Sequence, residues 1–172
     1  KFFKALTKAG DFLILGFLGF VFSIPVITMG ASITAMFYVG MKLVRDEEGY
    51  VFKGFIKSFK QNFKQATIIN LIMLLIGVVL YIDLNVSKAM QGGAGQIFQI
   101  IFMAFVLIYF ILFLYVYPVL ARFYNTIKNT IKNALFMAVR HLPYTVVMVL
   151  IAACPLLLLL VKSYQIQSTL FV

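Results

Sequence analysis

The sequence predicts an all-α fold that crosses a lipid bilayer several times, as a single integral membrane domain over residues 1–172. Of the 172 residues, 63% are hydrophobic and only 12% are charged, whereas roughly a quarter of the residues of a soluble domain are charged. The mean hydropathy is +1.04, so too little polar surface exists to cover a water-soluble globule. The charged residues also cluster between long apolar runs, as they do in a multi-pass membrane protein.

The same composition argues against several other classes of protein. The net charge of +10 does not indicate nucleic-acid binding, because the basic residues sit in three clusters that fit cytoplasmic loops better. The single cysteine, Cys154, lies in an apolar run and provides neither a disulfide nor a metal cluster. The only histidine, His141, has no carboxylate near it in the sequence. We therefore predict a protein that is not an enzyme and uses no metal or cofactor.

The N-terminal part of the chain predicts a short interfacial helix followed by an interrupted apolar run. Residues 12–44 carry no charge except Lys42, and one straight helix of this length would be roughly 50 Å long. The hydrocarbon core is only about 30 Å thick. Pro25 and Gly30 are expected to break the run into helices 12–24 and 31–45. These helices form either a tight transmembrane hairpin or a shallower re-entrant pair.

The break itself is the first candidate functional element. It combines a proline with small and hydroxyl-bearing residues, of which the candidates are Pro25, Thr28, Gly30, Ala31, Thr34 and Ala35. Small residues allow helices to approach closely in a membrane, which makes these residues a packing motif. Broken helices also line solute paths in transporters, and this second interpretation stays open.

The second candidate element is an amphipathic helix over residues 52–64. At 100° per residue its apolar residues share one narrow face, and its lysines lie together about a quarter-turn away. The apolar residues are Phe52, Phe55, Ile56, Phe59 and Phe63, and the lysines are Lys53, Lys57, Lys60 and Lys64. The helix is either an interfacial anchor on anionic lipid or a docking surface for a cytoplasmic partner such as an ATPase.

Three further spans are predicted. They are Ala66–Ile82, Ile97–Leu120 with a bend at Pro118, and Leu142–Val161 with Pro143 in its first turn and a kink at Pro155. A flexible loop, 84–96, separates the first two, and an amphipathic stretch, 121–141, separates the last two. The apolar face of that stretch comprises Phe123, Ile127, Ile131, Ala134 and Ala138.

The span Ile97–Leu120 carries an aromatic stripe at helical spacing. Its members are Phe98, Phe102, Phe105, Tyr109, Phe113 and Tyr117. A stripe of this kind faces lipid or forms a helix interface, and stacking on a sugar ring is a further possible role.

The basic residues predict the orientation. Three lie in the N-terminal segment, six in 42–64 and four in 122–140, which leaves Lys88 and Lys162. The positive-inside rule therefore places the N-terminus and both amphipathic segments in the cytoplasm. The first apolar run has basic residues at both ends, so it must enter and return, with Ser23–Ala35 as its outward tip. About five membrane helices result, two of them short.

Three blocks of the sequence resemble the YesL family, bacterial membrane proteins of uncharacterised function. The blocks are Ile24–Ala31 followed by Thr34 and Ala35, Arg45–Tyr50 running into Phe55, Phe59, Lys60 and residues 62–67, and Tyr117–Pro118 followed by Phe123 and residues 132–134. The resemblance implies a multi-pass helical protein of the bacterial cell membrane, often encoded beside carbohydrate ABC importers. It also implies one further C-terminal helix beyond residue 172, and it supplies no catalytic residues.

The resemblance points to an accessory membrane subunit of a carbohydrate ABC importer. The partners expected on this basis are the bilayer, the importer's permease and a cytoplasmic ATPase. The Glu-Ala-Ala…Gly signature with which ABC permeases meet their ATPase is not evident in this sequence, which argues against the chain being the permease itself. Two alternatives are a self-standing solute channel or facilitator and a membrane signalling adaptor for sugar sensing.

Overall fold

The computed structural model of the chain describes residues 2–47, 49–90 and 92–154, and within these ranges the protein is helical without strands. The six helices are α1 Phe2–Ser23, α2 Val26–Val44, α3 Val51–Ala89, α4 Gly93–Arg122, α5 Ile127–Arg140 and α6 Leu142–Cys154. Helices α1 to α4 are each long and apolar enough to cross a membrane, and α5 and α6 qualify together as a pair bent by 101°. The predicted fold class is confirmed. The part of the predicted last span that follows Cys154, including Pro155, lies outside the described residues.

The break in the first apolar run is shorter than the sequence predicts. Only Ile24 and Pro25 separate α1 from α2, and Gly30 lies inside α2. Pro25 has the extended backbone angles φ −75° and ψ 124° and no N–H to continue the ladder of α1. The N–H of Thr28 donates to the carbonyl of Pro25 at 3.0 Å, which starts the new helix at once. The prediction that Gly30 belongs to the turn is therefore wrong.

The amphipathic helix, the following span and part of the next loop form one helix. Helix α3 has 39 residues, which corresponds to roughly 58 Å. The sequence between Val51 and Ala89 contains no proline, and its glycines, Gly54 and Gly77, do not interrupt the helix. The predicted loop 84–96 shrinks to the few residues around Gly92, whose φ of 90° is a value that glycine adopts readily.

Helix α3 packs against α2 along its first half and against α4 along its second half. Its first half lies along α2, and a Cβ added at Gly54 would contact Val39. Its second half lies along α4, where the hydroxyl of Tyr109 donates to the carbonyl of Met73 at 3.1 Å. Each half has its own apolar core. The first core comprises Leu15, Leu18, Ala35, Val39, Val51 and Phe55, and the second comprises Ala31, Ala66, Ile69, Met73, Val116, Tyr117, Val119, Leu120 and Ala134.

Helix α5 closes one end of the second core. The side chain of Thr126 caps its N-terminus by accepting from the N–H of Asn129 at 3.4 Å. Ala134 and Ala138 are buried as the amphipathic pattern predicts, and Thr130 joins them. The hydroxyl of Thr145 in α6 donates to the carbonyl of Ala138 at 2.8 Å, which fastens the turn between α5 and α6.

Candidate functional site

The residues of the helix break divide between its turn and one face of α2. Pro25 is exposed at the turn, and Thr28 is half-buried beside it. The Thr28 hydroxyl lies 2.7 Å from the carbonyl of Phe22 and 2.9 Å from that of Pro25. Carbonyls at the end of a helix lack partners within it. Thr28 therefore supplies a donor that the missing turn of helix would have provided.

Gly30 lets α2 and α3 come into backbone contact. A Cβ at this position would lie 2.7 Å from the carbonyl oxygen of Ala66 and 2.8 Å from Cβ of Asn70. Ala31 and Ala35 on the same face have no exposed surface. This geometry is the close approach that small residues permit between membrane helices, and it supports the packing interpretation of the motif.

Two buried hydroxyl groups of α2 donate to backbone carbonyls, one within α2 and one in α1. Thr34 donates to the carbonyl of Gly30 in its own helix at 2.8 Å. Ser32 donates to the carbonyl of Gly19 in α1, also at 2.8 Å, and is fully buried. This hydrogen bond joins the two arms of the hairpin. A serine inside a helix otherwise bonds to a carbonyl of its own helix.

Asn70 links the break to the rest of the bundle, although it was not among the predicted site residues. Its Nδ2 donates to the carbonyl of Val26 at 2.8 Å, and its Oδ1 accepts from the hydroxyl of Tyr117 at 3.0 Å. Next to it, the Thr67 hydroxyl lies 3.4 Å from the carbonyl of Ile27. We call Asn70, Tyr117 and the Val26 carbonyl the polar node, since it joins α2, α3 and α4.

The sequence does contain a signal for this node. Asn70 is the only side-chain amide between Ala66 and Ile82. A polar group in an apolar span is costly unless it finds a partner, so an isolated amide predicts an interhelical hydrogen bond. Only 3% of Asn70 is exposed, and both ends of its amide are bonded.

The predicted amphipathic helix 52–64 is the first half of α3, and its aromatic face is divided. Phe55 is fully buried and packs edge-on against Phe22 of α1, with ring centroids 5.3 Å apart. Phe59 also contacts Phe22, at 5.1 Å, and Ile56 is half-buried. Phe52 and Phe63 remain exposed. The middle of the predicted apolar face therefore belongs to the protein core, and the lipid-anchor and docking interpretations of the segment stay predictions.

The four lysines of this segment form a charged flank along the same half of α3. Lys53, Lys57, Lys60 and Lys64 are all exposed. The ammonium group of Lys53 also lies 5.1 Å from the ring centroid of Tyr50. This lysine flank is available to anionic headgroups or to an acidic partner.

The open end of the hairpin is polar. Lys8 of α1 and Asp46, which follows α2, form an ion pair at 3.0 Å. A cleft of about 400 Å³ lies beside them and is lined in part by Thr7, Asp11 and Glu47. The two ends of the hairpin thus lie together, on the side where α3 begins. Among the described residues, no three His, Cys, Asp or Glu side chains converge to hold a metal ion.

These features define an all-helical, multi-pass membrane protein. Its broken helical hairpin packs on the long helix α3, and the buried polar node joins the hairpin and α3 to α4. Residues 12–84 match the family described as "Protein of unknown function, DUF624". The resemblance to the YesL family is thereby confirmed over the hairpin and most of α3, a segment that includes the helix break and Asn70.

The chain also matches a curated relative. The chain is 29% identical over 115 residues to the "Uncharacterized protein YteU" of Bacillus subtilis (strain 168). The aligned part covers 66% of this chain and 51% of the relative, so the chain spans about half the length of the curated relative it matches. No solved structure matches the chain.

Proposed function

We propose that the protein is a non-enzymatic accessory subunit that packs beside the permease of a carbohydrate ABC importer in the bacterial cell membrane, with its N-terminus in the cytoplasm. The link to carbohydrate import comes from the resemblance to the YesL family. The observation that carries the proposed mode of action is the uncovered flank of α4. None of the residues in the most apolar 18-residue stretch of α4 is buried within the protein.

The aromatic stripe of α4 is used unevenly. Toward the cytoplasmic end, Tyr109 and Tyr117 bond to α3, and Phe113 packs against Tyr117 at 5.3 Å between ring centroids. Toward the other end, Phe98 and Phe105 are 44% and 52% exposed. Aromatic side chains bury a large area with defined geometry, so this exposed half of the stripe suits a partner helix of the permease.

A cytoplasmic ATPase is the second partner that we propose. The lysine flank of α3 would meet an acidic surface on it, because long basic side chains recognise carboxylates across a partly solvated interface. Phe52 and Phe63 are exposed on the same half of α3 and would supply apolar contacts. Phe55 is fully buried and unavailable for such contacts.

Affinity purification in mild detergent tests the proposal. The tagged protein should recover the permease, and Phe98→Ala combined with Phe105→Ala should weaken this recovery. The matched control combines Leu75→Ala with Val79→Ala, which also truncates two exposed apolar side chains, but on α3. Unchanged recovery with the control shows that the α4 flank, and not general folding, is responsible.

Other outcomes separate the alternative functions. Recovery of the protein alone, together with full importer activity in a strain that lacks it, would contradict the accessory role. Solute flux into liposomes that contain only this protein would favour a self-standing channel, especially if Pro25→Ala abolishes the flux. Crosslinking to a sensor protein in place of the permease would favour a signalling adaptor.

A further inference from the structure

We propose that the α1–α2 hairpin is a re-entrant element in contact with lipid, which enters the bilayer from the side of the lysine flank and turns back at Ile24–Pro25 before it reaches the opposite face. The proposal concerns the membrane itself as the partner of this surface. It does not depend on the importer, and it follows from where the tip of the hairpin lies along α3.

Four contacts fix the level of the tip. The carbonyl of Val26 bonds to Asn70, and that of Ile27 bonds to Thr67. Farther from the tip, Gly30 contacts Ala66, and Val39 lies next to Gly54. Helix α2 therefore runs antiparallel to the first half of α3, and the tip of the hairpin lies level with Asn70.

The charges of α3 define how much of it can lie in hydrocarbon. Lys64 and Asp83 flank 18 uncharged residues, 65–82. At about 1.5 Å per residue these residues cover roughly 27 Å, close to the hydrocarbon thickness. Asn70 lies six residues from Lys64 and 13 from Asp83, or roughly 9 Å and 20 Å along the axis. The tip therefore stops about a third of the way across.

The uncharged parts of the two hairpin arms are also shorter than the hydrocarbon core is thick, although each whole helix is long enough to cross a membrane. In α1, 12 uncharged residues, 12–23, separate Asp11 from the break, which is roughly 18 Å of helix. In α2, 16 uncharged residues, 26–41, precede Lys42 and make up roughly 24 Å. Both lengths fall short of the hydrocarbon core, which is about 30 Å thick.

The surface of the hairpin nevertheless requires an apolar environment. Along the part of α1 nearest the tip, Phe17 and Phe20 are 68% and 72% exposed. At the tip, Ile24 and Val26 are 69% and 56% exposed. Large apolar side chains on a hairpin whose tip stops partway across the bilayer fit an element that dips into one leaflet, with nearby lysines reaching back to the headgroups.

The backbone groups at the turn form hydrogen bonds with protein groups. A turn that water cannot reach requires such partners. The carbonyl of Phe22 accepts from the Thr28 hydroxyl, and the carbonyl of Val21 from the N–H of Ile24 at 3.4 Å. Asn70 supplies an amide donor to the other side of the turn. Irregular backbone at membrane depth is tolerated where protein groups satisfy it.

Site-directed labelling tests the depth of the tip in the full chain, reconstituted in liposomes in which the orientation of the protein is known. Cys154→Ser removes the native thiol, and Ile24→Cys, Lys57→Cys or Ala89→Cys then introduces a single exposed one. A membrane-impermeant maleimide should label position 57 from one side and position 89 from the other. Position 24 should react at least about tenfold more slowly than position 89 from the side of position 89, because hydrocarbon covers the tip.

A depth measurement completes the test. A fluorophore attached at position 24 should be quenched by lipids that carry a spin label on the acyl chain, whereas one at position 57 should not. Labelling of position 24 from the side of position 89 at the rate of position 89 would show a full crossing and overturn the proposal. Rapid labelling from the side of position 57 without lipid quenching would place the tip in water and overturn it as well. Ser23→Cys provides a second variant if Ile24→Cys disturbs folding.

Discussion

Replacing Asn70 with leucine removes the polar node while keeping a side chain of similar size. The amide loses its bonds to the Val26 carbonyl and to the Tyr117 hydroxyl. The hydroxyl is left without this partner, on a residue that is 1% exposed. Interhelical hydrogen bonds in membranes average about 0.6 kcal/mol with a maximum near 1.7, and an orphaned buried group costs about 1–3 kcal/mol. We expect Asn70→Leu to lower the free energy of unfolding by about 1–3 kcal/mol.

The second partner makes the prediction specific. Tyr117→Phe removes only the hydroxyl, and the double variant Asn70→Leu with Tyr117→Phe leaves no orphaned hydroxyl at this position. The double variant should therefore lose less stability than the sum of the single variants, because residues in one hydrogen-bond network do not behave additively. Unfolding with sodium dodecyl sulfate in mixed micelles, followed by circular dichroism, gives the four free energies of this cycle.

Asn85→Leu is the matched control. Asn85 also lies in α3 and donates to a carbonyl, that of Tyr81 at 2.8 Å, but it is exposed. Its replacement should change the free energy of unfolding by no more than about 0.5 kcal/mol. Wild-type stability of Asn70→Leu, or strict additivity in the double variant, would refute the role assigned to the node.

Three further predictions use the same unfolding measurement. Gly30→Ala should cost about 1–3 kcal/mol, because its Cβ would press on the backbone of α3, whereas Gly16→Ala meets no atom within 4 Å and should not destabilise the protein. Phe55→Ala should lower the free energy of unfolding by about 3–5 kcal/mol, because its ring is fully buried. The control is Phe52→Ala, whose ring is 58% exposed. A loss in Phe55→Ala no larger than in this control would contradict the core assignment. Ser32→Ala should cost about 0.5–1.5 kcal/mol through the lost bond between α1 and α2, and no measurable loss would show that this bond does not hold the hairpin.

Local pattern predicted those features that depend on neighbouring residues. Pro25 lacks a backbone donor wherever it occurs, so the break of the first apolar run was predictable to within a few residues. The apolar face of α5 was predictable because Ala134 and Ala138 follow the period of a helix. Thr130 was not assigned to that face, although its hydroxyl bonds to the carbonyl of Thr126 within the helix, which allows it to be buried.

Element boundaries in the middle of the chain were not predictable to the same degree. The lysine-bearing segment and the span after it have the same helical geometry, and a change from charged to apolar residues does not end a helix. The small and polar residues of 84–96 suggested a flexible loop, but the helix continues to Ala89 because no proline stops it. The position of Gly92 marks where the chain does turn.

The sequence by itself determined that this protein is a helical, multi-pass membrane protein, because composition decides which solvent each segment requires. Only the tertiary structure decided that one helix of 39 residues carries both the lysine flank and a membrane span, and that the first hairpin ends level with Asn70. The bonds of Asn70 join residues 44 and 47 positions apart. Contacts at such separations depend on how complete helices pack against one another, which a local pattern does not encode.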